Sequence, residues 1–120
     1  VLEPVIGYLS LGMHLEEQPV NFSQAFNFGP QSDDVLSVEE MVKAVIELWG
    51  FGEYKIEQQA NQPHEAGLLK LDISKVKTEM DWSPKLNAHI AIKMTIDWYK
   101  SFLSFGSRET TKKQIINFIS

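Results

Sequence analysis

Between residues 61 and 65 the chain reads Asn-Gln-Pro-His-Glu, which gathers amides, an imidazole and a carboxylate around a rigid turn residue. A carboxylate so placed can accept two hydrogen bonds from the vicinal hydroxyls of a ribose, the logic of the acidic residue in dinucleotide sites. Gln62 and His64 can donate to base or phosphate oxygens, and Pro63 fixes the backbone between them. The candidate binding residues are therefore Gln62, Pro63, His64 and Glu65. The same residue types also suit a solvated polar loop, which is the commoner case.

The other reactive side chains group less well. His14, His64 and His89 do not fall at metal-ligand spacing, so no metal site is expected. Glu16-Glu17 and Glu39-Glu40 are adjacent on helices and face solvent, and the second pair is accounted for by capping. There is no glycine-rich phosphate loop and no G-x-S-x-G elbow, so no catalytic residue is assigned. Trp49, Trp82 and Trp98 stand at inward positions and read as core.

The elements that must position the loop can be read from periodicity and caps. Leu2, Val5, Ile6, Leu9 and Met13 recur at helical spacing and predict a helix over 3–18, ended by Gln18-Pro19. Ala25-Phe26-Asn27-Phe28 reads as a short buried strand closed by Gly29-Pro30. Ser37 and Glu40 form a capping box that opens a helix with Val38, Met41, Val42, Val45 and Trp49 inward, stopped by Gly50. Residues 54–57 and 68–71 read as two further strands flanking the polar loop. Asp72 caps a helix over 73–80, and Asn87 caps a long one to Phe105 with Ala91, Met94, Thr95, Trp98 and Phe102 inward. A tail helix from Arg108 to Ile119 follows, with Ile115, Phe118 and Ile119 on one side. The expected fold class is α+β, one small mixed domain over residues 1–120.

Composition narrows the functional classes. With 11 basic and 16 acidic residues the net charge is −5, which disfavours nucleic acid as a partner. No apolar stretch approaches the ~20 residues of a membrane helix, and no signal peptide is visible, so a cytoplasmic protein without a membrane partner is expected. The absence of Cys rules out disulfides and thiolate metal sites in this stretch. Asn21-Phe22-Ser23 matches a glycosylation acceptor, read as chance without a secretory signal. The opening on Val1 rather than Met suggests a fragment.

Several stretches resemble one family. Phe26-Asn27-Phe28-Gly29-Pro30, then Gln62-Pro63-His64-Glu65-Ala66 with Leu69-Lys70-Leu71-Asp72 and Ser74-Lys75, are similar to segments of CDP-glucose 4,6-dehydratases. Trp82-Ser83-Pro84-Lys85-Leu86 and Thr95-Ile96-Asp97-Trp98-Tyr99 resemble the closing part shared by extended short-chain dehydrogenases. The tail Arg108…Thr111…Gln114-Ile115 is also similar. The resemblance implies the carboxy-terminal, nucleotide-sugar-binding domain of an enzyme that dehydrates CDP-glucose, with Glu65 on the ribose. It implies that NAD, the amino-terminal Rossmann domain that binds it and the catalytic groups lie outside this chain, so that the 120 residues alone are inactive. Gln62 stands where related epimerases carry an arginine on the phosphate, which leaves pyrophosphate neutralisation to residues elsewhere. The partners implied are CDP-glucose and the missing amino-terminal domain. Two other readings remain open: the same domain of another nucleotide-sugar epimerase or dehydratase, and a stand-alone binding module without catalysis.

Overall fold

The computed structural model describes residues 1–56 and 71–120. Six helices occur among them: α1 (Leu2–Glu17), α2 (Pro19–Phe22), α3 (Val38–Trp49), α4 (Ser74–Met80), α5 (Ala88–Phe105) and α6 (Arg108–Ile119). No strand occurs among the described residues, which corrects the α+β expectation to an all-helical architecture. The expected strand at 25–28 is an extended segment that lies beside residues 71–73, yet no backbone ladder joins them. Side chains do the joining: Asn27 Nδ2 donates to the Asp72 carbonyl at 3.2 Å, and Lys75 Nζ donates to the Ala25 carbonyl at 2.9 Å. Alternating burial reports which side of an extended chain faces inward, not whether its backbone groups are paired. Residues 54–56 and Leu71 are likewise outside any strand; 57 and 68–70 lie outside the described residues.

The helix boundaries follow the sequence closely. At α3 both halves of the capping box form: Ser37 Oγ accepts from Glu40 N at 3.2 Å, and Glu40 Oε2 accepts from Ser37 N at 2.8 Å. Gly50 ends that helix in the left-handed region at φ 97°. Asn87 Oδ1 accepts from Ile90 N at 2.9 Å and opens α5. Asp72 stands one residue ahead of the N-cap Ile73, but its Oδ1 still satisfies Ser74 N at 2.8 Å.

Packing divides these helices into two groups. One is built from α1, α2, α4 and the 25–28 segment around Phe22, Ile73, Val76, Met80 and Trp82. The other sets α5 between α3 and α6, with Ile96 and Phe118 buried. Lys100 on α5 donates to the Leu48 carbonyl and lies over the Trp49 ring, while Trp98 Nε1 donates to Thr111 Oγ1 at 2.8 Å. Glu3 ties the groups together: its Oε1 accepts from Lys85 N at 2.8 Å and Leu86 N at 2.6 Å. Asp34 Oδ2 accepts from Ala88 N at 2.7 Å and makes a second tie.

The inward face of α1 is not the one its periodicity suggested. Leu11 and Leu15 pack on the core, and Gly7 is buried against the Phe28 ring, whereas Val5, Leu9 and Met13 are exposed. Apolar side chains ring this helix, so spacing alone offers two competing faces. Val38 and Met41 of α3 and Phe102 of α5 are exposed rather than inward for a similar reason, each standing at the margin of an apolar stripe.

Candidate functional site

Gln62, Pro63, His64 and Glu65 lie outside the described residues, so the geometry of the candidate site is that of the two feet carrying it. On the amino-terminal side, Tyr54 Oη donates to Glu39 Oε1 at 3.0 Å and pins the approaching backbone to α3. Gly52, at φ 136°, turns the chain against the Ile46 side chain. On the carboxy-terminal side, Leu71 and Ile73 close on Gly29, and Asn27 holds the Asp72 carbonyl. The span from Tyr54 to Leu71 is therefore fixed at both ends by helices α3 and α4 and by the 25–29 segment.

The cleft beside the amino-terminal foot, about 470 Å³, is lined by Lys43, Ile46, Glu47, Gly52, Glu53 and Tyr54. Its charges do not suit a pyrophosphate: two carboxylates oppose one ammonium, and that ammonium is already 2.8 Å from Glu39. The hydrogen bond from Lys43, helped by that from Tyr54, holds the Glu39 carboxyl below the usual carboxylate range and raises Lys43. The Ser37 backbone N–H does the same for Glu40, and the Ser74 hydroxyl and N–H lower Asp72. Each of these carboxylates is used up by local structure.

A second cleft of about 440 Å³ opens where the start of α1 meets α5 and α6, with Leu2, Met94, Trp98 and Ile115 on its walls. Trp98 is bonded to Thr111, and Gln114 Nε2 to the Met94 carbonyl at 2.7 Å, whereas Glu3 Oε2, on the same lining, is buried without a hydrogen-bond partner among the described residues. No nucleophile there stands beside a base. Among the described residues, no three His, Asp or Glu side chains come together as a metal site. His14 is spoken for, with Nδ1 at 2.8 Å from the Ser10 carbonyl and its ring against Phe22. Tyr99 and Lys100 are separated in role, the first packed edge-on to Trp98 and the second bonded to α3. No described helix is long and apolar enough to cross a membrane.

One structural residue escaped the sequence reading altogether. Glu3 stands in the first turn of α1, where an acidic residue ordinarily signals no more than a favourable helix dipole. Its reach to backbone groups more than 80 positions away leaves no local trace.

Comparison with known proteins supplies what the two feet cannot. No family profile matches the chain. A curated relative, the CDP-glucose 4,6-dehydratase of Salmonella typhimurium strain LT2, is 34% identical over 103 residues. The match covers 86% of this chain but only 29% of the relative. The chain is thus homologous, over most of its length, to part of a CDP-glucose 4,6-dehydratase, as its motifs implied.

Proposed function

We propose that this chain is the nucleotide-sugar-binding part of a CDP-glucose 4,6-dehydratase, an enzyme converting CDP-glucose to CDP-4-keto-6-deoxyglucose. The observation that carries the reading is the 34% identity across 103 residues, since it runs through nearly every described element rather than one motif. Glu65 accepts hydrogen bonds from the ribose hydroxyls, with Gln62 and His64 donating toward the base or phosphates.

The division of labour follows from what the sequence carries. Of its seven glycines only Gly50 and Gly52 form a Gly-x-Gly, and Lys55 stands where a dinucleotide loop needs the third glycine; no Tyr-x-x-x-Lys pair occurs. NAD and the hydride chemistry therefore belong to the remainder of the enzyme, and no catalytic step is assigned to this chain. The same holds for neutralising the pyrophosphate, for which the clefts described here lack surplus positive charge.

The test is a titration of the full-length enzyme with CDP-glucose, UDP-glucose and dTDP-glucose. Preference for CDP-glucose supports the reading, and preference for either competitor transfers the domain to a sibling enzyme. In the same protein Glu65→Gln should raise KM by the equivalent of roughly 1–3 kcal/mol with kcat little changed. An unaltered KM would take Glu65 out of the site.

A further inference from the structure

Glu3 uses one of its two oxygens. Oε1 accepts from Lys85 N at 2.8 Å and Leu86 N at 2.6 Å, whereas Oε2 is buried with no partner. Among the described residues it is the one buried side-chain oxygen or nitrogen in that condition. A carboxylate oxygen withdrawn from water is destabilising until a donor meets it. Lys85, whose backbone N–H already meets Glu3, sends its ammonium elsewhere: Nζ donates to the Phe118 carbonyl at 3.2 Å and lies over the Phe118 ring.

Glu3 lines the cleft of about 440 Å³ where the start of α1 meets α5 and α6. Small-molecule pockets span about 300–1,000 Å³. The walls are formed largely by Leu2, Leu86, Met94, Trp98 and Ile115. Polar side chains on them are engaged within the protein. Thr95 Oγ1 donates to the Ala91 carbonyl and Thr111 Oγ1 to the Ser107 carbonyl, each at 2.8 Å. Trp98 Nε1 donates to Thr111, and Gln114 Nε2 to the Met94 carbonyl. Glu3 Oε2 is left as the inward acceptor.

This combination selects the chemistry of an occupant. A buried water needs about two to four polar partners, so one carboxylate oxygen among apolar walls suits it poorly. No Lys, Arg or His stands on the lining, so the phosphates of a nucleotide sugar find no counter-charge there. A buried carboxylate is best matched by a cation that also donates a hydrogen bond. Apolar walls call for an apolar body behind that cation.

We propose that this cleft binds a small primary amine with an aromatic or branched apolar body. Its ammonium donates to Glu3 Oε2, and its body lies among Leu2, Met94, Trp98 and Ile115. The site goes beyond the nucleotide-sugar reading and does not depend on it. Because α1 belongs to one helix group and α5 and α6 to the other, an occupant touches both and holds them together.

Benzylamine is the probe, followed by the methionine methyl resonances of the full-length protein. Met94 is on the wall, whereas Met13, Met41 and Met80 are not. Benzylamine should shift the Met94 methyl, assigned through Met94→Leu, with a Kd on the order of 1–10 mM, and move the other three little. Benzyl alcohol, of the same shape without the charge, should bind about tenfold or more less tightly, and benzoate should not bind. Glu3→Gln keeps an oxygen for Lys85 N and Leu86 N but turns an amide donor into the cleft. It should weaken benzylamine by about tenfold or more and leave benzyl alcohol nearly unchanged. Thr95→Phe, at an exposed position of the wall, should weaken both. Saturating benzylamine should raise the melting temperature of the parent protein but not that of Glu3→Gln. Equal affinity for amine and alcohol would overturn the proposal. So would benzylamine binding untouched by Glu3→Gln, which would place the ammonium elsewhere. An unmoved Met94 methyl would overturn it too, since another part of the protein would then fill the cleft.

Discussion

Among single residues, Gly7 has the tightest surroundings. A side chain added there would drive into the Phe28 ring, which is itself held edge-on by Tyr8 and by Trp82 at centroid distances of 5.3 and 5.0 Å. Gly7→Ala should therefore destabilise the protein by about 1–3 kcal/mol, against the ~1 kcal/mol gain expected from helix propensity alone. Urea unfolding of Gly7→Ala beside Gly12→Ala separates the two effects, because the second site is open and should not lose stability. A gain at both positions would mean that the Phe28 ring gives way freely. In the sequence these glycines look alike, as two weak points of one helix. Nothing in the amino-acid types says that an aromatic ring from 21 residues later arrives at one of them. Glu3 was hidden for the same reason, since its partners are the distant backbone groups of Lys85 and Leu86.

At the scale of elements, what is local was legible and what is not local was misread. Every described helix longer than four residues begins and ends within two residues of the expected bounds, because caps and stops are written in neighbouring side chains: Ser37 with Glu40, Asn87 with Ile90, Gly50 in the left-handed region. Pairing of strands depends on what lies opposite, and residues 25–28 are joined to the 71–75 stretch by side-chain bonds, Asn27 donating and Ala25 accepting, instead of a ladder. The caps also make a pH prediction. The carboxyls of Glu40 and Asp72 are held below their ordinary values by the Ser37 and Ser74 donors. A depressed folded value adds stability that is complete above the unfolded one and is lost as pH falls through the folded one, below about pH 4. Melting temperature should thus fall through that range, and Glu40→Gln with Asp72→Asn should flatten the fall while keeping acceptors at both caps. An acid limb as steep as before would place the sensitive groups elsewhere. On α6, Thr111→Val should leave the Trp98 indole N–H without its acceptor and cost about 1–3 kcal/mol.

For the whole molecule, the central question is how the two helix groups are held to one another. The two helix groups meet through few ties, chiefly Glu3 on the 85–86 backbone and Asp34 on Ala88 N. Removing the first should let the groups separate, since Lys85 N and Leu86 N would lose a shared charged acceptor. Glu3→Ala should cost about 1.5–3 kcal/mol by the strength of hydrogen bonds to a charged group. Its consequence for function reaches further than its consequence for stability. The candidate loop between Tyr54 and Leu71 has one foot on α3, in the second group, and the other at the head of α4, in the first. A shift between the groups therefore changes the distance between those two feet. On the proposed function, Glu3→Ala in the full-length protein should raise KM for CDP-glucose even though Glu3 lies far in sequence from the candidate residues 62–65, and a stabilising osmolyte should recover part of the loss. A raised KM with no recovery under those conditions would mean that Glu3 acts on the substrate itself. A KM identical to the parent's would mean that other contacts, not this tie, hold the two groups in register.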